Sequence, residues 1–115
     1  MDPSKGYVPS ELDFLAAFGV EPEDAVPSDG FWAYTFRDQH GGMVRLSFDT
    51  HARSLQTTLL SHGRELGVVV HEDLARLWID SETRLCATFT TEADTRLELT
   101  VGEAGVRVSW SSLSR

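Results

Sequence analysis

The chain has one cysteine, Cys86, one lysine, Lys5, and no apolar run near the ~20 residues that span a bilayer. A lone cysteine excludes an internal disulfide and agrees with a reducing compartment. The opening MDPSKGYVPSELD has no basic stretch followed by an apolar one, so no secretory signal is expected. The expectation is a cytoplasmic protein that does not engage a membrane. Catalytic signatures are lacking as well: there is no GxSxG, no GxGxxG, no Walker pattern, no HxH and no HxxxH.

The side chains capable of chemistry are spread out. His40, His51, His62 and His71 fall in turns or at strand ends. In a meander, His40 and His62 would share one end and His51 and His71 the other, each pair roughly 10 Å apart. Zinc needs its ligand nitrogens within about 2.1 Å, usually four ligands at once, and the spacing does not supply them. Cys86 lies mid-strand between Leu85 and Ala87, a setting for an idle thiol rather than a nucleophile. Paired carboxylates such as Glu72-Asp73, Asp80 with Glu82, and Glu92 with Asp94 sit where turns are expected. No enzyme, no metal and no cofactor is therefore expected.

What the sequence does have is negative charge, unevenly placed. The 115 residues suit one domain with its own core, and a hydrophobic share of 41% is ordinary for a globular chain. Of the net charge of −8, −6 falls in residues 1–30, where Asp2, Glu11, Asp13, Glu21, Glu23, Asp24 and Asp29 face Lys5 alone. Residues 31–115 hold eleven acids and nine arginines. This field repels phosphate backbones, so no nucleic acid is expected as a partner, and it attracts a basic protein.

Along the chain, residues 1–9 read as a loose arm with Pro3, Gly6 and Pro9. Residues 10–19 read as a helix: Ser10 is an N-cap, Asp13 completes a capping box, and Gly19 is a C-cap. Leu12, Leu15 and Phe18, with Phe14 beside them, form one apolar stripe that must pack on something. Residues 20–30, VEPEDAVPSDG, read as an acidic connector without regular structure.

Residues 31–115 keep a period of two and divide into about eight strands with short turns, an antiparallel meander. The fold class is mainly β (α+β), the sheet sandwich-like or strongly curved. Register tests let one apolar face run unbroken. Leu59 meets Leu66 around His62-Gly63; Leu77 and Ile79 meet Leu85 and Ala87 if Asp80 pairs with Arg84; Leu99 and Val101 meet Val106 and Val108. Trp32 and Trp110 are in phase with the core. Trp78 is out of phase, beside Cys86 and between arginines, to be covered by the helix and connector or offered to a partner.

A short helix and acidic connector, followed by YTFRDQHGGMVRLSFD, SLQTTLL and a late VRVSW, resemble in outline the small acidic immunity proteins of bacterial polymorphic-toxin and contact-dependent inhibition systems. The resemblance implies a monomer when free that binds one cognate toxin domain. A basic nuclease-type toxin fits, because an acidic surface can fill a cleft built for phosphates. The expected contact residues are Glu21, Glu23, Asp24, Asp29, Asp38, Trp78 and Glu82. Two other functions remain open at this point: a β-barrel for a small hydrophobic ligand, and an acidic secretion chaperone or adaptor.

Overall fold

A computed structural model describes residues 8–81, 83–90, 95–102 and 105–112. Among these, one helix and nine strands form two antiparallel sheets. The helix α1, Glu11–Phe18, begins as its sequence dictates. The Asp13 N–H donates to Ser10 Oγ at 3.2 Å, and the Ser10 N–H donates to Asp13 Oδ2 at 2.9 Å. Gly19, with φ of 68°, ends it by donating its N–H to the Leu15 carbonyl at 2.9 Å. The anchoring stripe is narrower than expected. Phe14 is fully buried and Phe18 packs against the core, whereas Leu12 and Leu15 stand out into solvent.

The first sheet runs β1 (Asp24–Val26), β2 (Phe31–Arg37), β3 (Gly42–Asp49), β4 (Ser54–Ser61) and β5 (Arg64–His71), in that order. The second runs β6 (Leu74–Ser81), β7 (Arg84–Phe89), β8 (Thr95–Gly102) and β9 (Gly105–Ser112). The meander thus breaks once, between His71 and Leu74, where Asp73 takes a φ of 59° and turns the chain into the second layer. The expectation of a sandwich-like β fold holds. The barrel alternative does not, since neither sheet closes and side chains of both fill the space between them.

The core is one cluster. Tyr34, Phe36, Val44, Leu46, Phe48 and Leu55 come from the first sheet; Leu74, Leu77, Leu85, Ala87, Phe89, Leu97 and Leu99 come from the second. Phe14 joins them, stacking on Tyr34 at 3.9 Å between ring centroids and lying 6.2 Å from Phe48. An eight-residue helix has little stability by itself, so this aromatic anchor is what holds α1. Burial raises the pKa of the Tyr34 hydroxyl, with the Glu11 charge adding to the effect.

Three expectations, two of them of register, need correction. The connector is not structureless: Glu23 donates its N–H to the Ala33 carbonyl at 2.7 Å, residues 24–26 pair with β2, and Pro27–Asp29 make one 3-10 turn. Sheet pairing satisfies backbone groups along the open side of β2, and that outweighs the local disfavour of acids and prolines. Leu77 meets Ala87 and Ile79 meets Leu85, but the closing pair is Ser81 with Arg84. Asp80 sits in the irregularity and reaches Arg84 as an ion pair at 3.5 Å.

The third correction has the largest consequence. Ser61 pairs with Arg64 and Leu60 with Glu65, as a two-residue turn requires, but Leu59 pairs with Gly67 rather than Leu66. The bulge at Leu66 moves every later side chain of β5 to the opposite face. Val69 and His71 turn inward with Thr57 and Leu55, while Leu66, Val68 and Val70 turn outward. His71 is held between Phe89 and Trp110, with ring centroids 4.7 and 4.3 Å away. Trp110 makes this contact from the surface rather than the core, while Trp32 lies partly buried against the core.

Candidate functional site

The seven residues singled out by sequence fall into three places. Glu21, Glu23, Asp24 and Asp29 lie together along β1 and its flanks at one edge of the first sheet, all exposed. Asp38 lies at the β2–β3 turn, and Trp78 on the outer face of the second sheet. Glu82 lies outside the described residues.

Within the acidic edge the carboxylates are not equivalent. Glu23 Oε1 accepts from Thr35 Oγ1 at 2.9 Å and from Arg45 Nε at 3.0 Å, on the outer face of the sheet. The Thr35 hydroxyl first, and the Arg45 guanidinium second, hold its pKa below the usual carboxylate value. Glu23 therefore already has a cation. Arg45 and Glu23 are about a third and nearly half exposed, so the pair adds little to stability. Glu21, Asp24 and Asp29 are the carboxylates that face solvent beside it.

Asp38 does different work. Its Oδ1 accepts from the N–H groups of His40 and Gly42, each at 2.8 Å, closing the β2–β3 turn. Its Oδ2 accepts from the Val106 N–H at 3.1 Å, tying that turn to β9 of the other sheet. These backbone donors, Val106 foremost, lower its pKa. The carboxylate is turned onto its own chain, and a partner would meet its edge only. A glycine of this turn is constrained as well: Gly41, with φ of 87°, passes so close to the His62 ring that a Cβ there would collide.

Trp78 packs among arginines. It pairs with Cys86, and the guanidinium carbons of Arg76 and Arg96 stand over its ring at 4.9 and 5.5 Å from the centroid. Arg96 donates from Nη2 to the buried Cys86 Sγ at 3.2 Å and faces Glu98 at 3.2 Å. Helix α1 approaches β6, and between them lies an open groove of about 460 Å³ lined by Pro9, Asp13, Ala16 and Ala17 on one side and residues 76–79 and Ser81 on the other. The connector plays no part in this cover, because it pairs with β2 on the first sheet. Sequence reasoning placed Trp78 between arginines correctly but missed the groove, which depends on how α1 docks.

Among the described residues, no three His, Cys, Asp or Glu side chains converge as metal ligands, and no helix is long and apolar enough to cross a membrane. No protein-family model matches the sequence, and no curated protein matches it. The structure is similar to a chain of the contact-dependent growth inhibition toxin–immunity protein complex from Klebsiella pneumoniae 342. The TM-score is 0.77 at 19% identity, over 94% of this chain and 97% of that one. The shared feature is the fold, over nearly the whole length of both chains.

Proposed function

We propose that this chain is an immunity protein, which binds a cognate bacterial toxin domain stoichiometrically and neutralises it without catalysis. The observation that carries the reading is the end-to-end fold likeness to a chain from a toxin–immunity complex. That complex holds two roles, and this chain's charge favours the inhibitor. A net charge of −8 suits a protein that competes with nucleic acid rather than one that binds it.

In this reading the toxin is a basic, nuclease-type domain, and its cleft takes the acidic edge at β1. Glu21, Asp24 and Asp29 are exposed for contact, while Glu23 reaches the partner only by sharing or releasing Arg45. Asp38 bounds the surface through its hydrogen-bonded turn, Trp78 contributes from the second sheet, and Glu82 is the remaining proposed contact. Electrostatic attraction of this kind raises the encounter rate and weakens with salt.

The test pairs the purified chain with the toxin domain encoded beside it. The expected result is a one-to-one complex and loss of the toxin's activity. Reversing Glu21, Asp24 and Asp29 together to lysine should slow association by about ten- to a hundredfold at low salt. A chain that neither binds nor protects refutes the immunity role. Unchanged association after the triple reversal refutes the acidic edge alone.

A further inference from the structure

The acidic edge at β1 belongs to the first sheet and Trp78 to the second, and helix α1 stands between them. On one flank of the helix, Glu11 Oε2 accepts from Trp32 Nε1 at 2.9 Å, and Trp32 is the β2 residue that pairs with Ala25 of β1. On the other flank, Asp13, Ala16 and Ala17 face β6 across the groove that Trp78 lines. Phe14 and Phe18 point into the core. The outer face that remains carries Leu12 and Leu15, 75% and 45% exposed and about one turn apart. The aromatic pair holds α1 without them, so two large apolar side chains stand in water with the Glu11 and Asp13 carboxylates beside them. An apolar centre with a charged rim is the anatomy of a protein interface.

We propose that the outer face of α1, with Leu12 and Leu15 at its crest and the α1–β6 groove beside them, is the apolar seat of the toxin domain. This rests on the immunity reading and supplies what the charged contacts lack, a dry centre. Position is the first argument for the toxin as occupant. A single partner that touches both the β1 acids and Trp78 crosses α1, because the helix stands between the two. Charge is the second. Helix α1 holds Glu11 and Asp13 and no basic residue, so the rim of this seat calls for a basic partner, the same sign that the β1 edge calls for. A second copy of this chain would set these carboxylates against their like. The groove, about 460 Å³ and open, lies on the same path, and Ala16, Ala17 and Trp78 offer its walls to an apolar side chain of the toxin. The two kinds of contact then divide the work: the acids set how fast the toxin arrives, and the leucines set how long it stays.

The test measures association and dissociation rates of the intact chain with the toxin domain encoded beside it. Leu12→Ala combined with Leu15→Ala keeps a strong helix former at both positions, and both side chains are exposed, so the melting midpoint should stay close to the parent's. This variant should dissociate at least about tenfold faster, as expected when a well-buried leucine is lost, and associate within about twofold of the parent. Ala16→Arg places a long cation on the exposed rim of the groove and should also speed dissociation by about tenfold, with melting unchanged. A parent chain that does not bind refutes the immunity reading, and this proposal falls with it. A parent chain that binds while either variant dissociates as the parent does overturns the seat alone. A parent chain that sediments as a dimer, which the double leucine variant separates, gives the ridge to a second copy and overturns it as well.

Discussion

At one edge of the five-stranded sheet, β1 offers three paired residues flanked by Pro22 and Pro27, with carboxylates on every side. At the other, β5 offers eight residues, no proline and an outward apolar stripe. Both edges expose backbone groups to water, and each has a device that discourages further pairing: shortness, proline and charge at β1, a bulge at β5. A short, proline-bounded, acidic edge repels its own copy and attracts basic surfaces. A longer apolar edge lacks that charge. What each edge can do depends on how independently the two are held.

How independently they are held is open to a direct break. β1 follows α1 in the chain, and α1 is fixed by the Phe14 ring stacked on Tyr34 and by Trp32 Nε1 donating to Glu11 Oε2 at 2.9 Å. Phe14→Ala removes a fully buried aromatic and should destabilise the fold by about 3–5 kcal/mol in denaturant titration. Amide hydrogen exchange should show the loss first at α1 and β1, with the β4–β5 hairpin protected almost as before. Equal loss of protection at β5 would show that the two edges open as one unit.

The next largest effect separates the edges by charge. In the low-salt association assay, the lysine triple at Glu21, Asp24 and Asp29 should slow toxin capture by about tenfold or more, and the deficit should shrink as salt rises past the Debye screening range. Val68→Asp should leave that rate within about twofold. If Val68→Asp slowed capture as much as the triple, the division between the edges would be wrong.

The division was only half legible in the sequence. The carboxylates of VEPEDAVPSDG, the capping box at Ser10 and the eight later strands are local features, and propensity and period two reveal them. The pairing of Asp24–Val26 with β2 was hidden, because a three-residue acidic strand has no pattern and forms only where a neighbour presents open backbone groups. The apolar face of β5 was read in reverse. Leu66, Val68 and Val70 look like core residues by alternation, and a single extra residue at Leu66 sends them outward, a shift that no hydropathy pattern announces. The exposure of Leu12 and Leu15 was missed for the related reason that a helix of two turns can dock through Phe14 and Phe18 alone.

The smallest expected effect distinguishes the acids that belong to the fold from those that belong to the surface. Glu23 and Asp38 both have pKa values below the usual carboxylate range, from hydrogen bonds that exist only in the folded chain. A carboxylate whose folded pKa is depressed stabilises the protein above its unfolded value, about 4, and that contribution is lost as pH falls through the folded value. Stability should thus begin to fall below about pH 4, and the two residues should share the loss unequally. Glu23→Gln retains a hydrogen-bond acceptor for Thr35, and as an exposed pair with Arg45 it should change stability by less than about 1 kcal/mol. Asp38→Asn is more damaging, because one of the two carboxylate oxygens becomes an N–H₂, and whichever donors it faces, either the β2–β3 turn or Val106 loses its acceptor. The melting midpoint of Asp38→Asn at neutral pH should lie below that of Glu23→Gln, and its acid limb should be shallower than the parent's. Thermal scans of both variants across the acid range decide the matter. Parent-like melting of Asp38→Asn at neutral pH would mean that the turn holds to β9 without its carboxylate, and Asp38 would then rejoin Asp24 and Asp29 as an acid available to a partner.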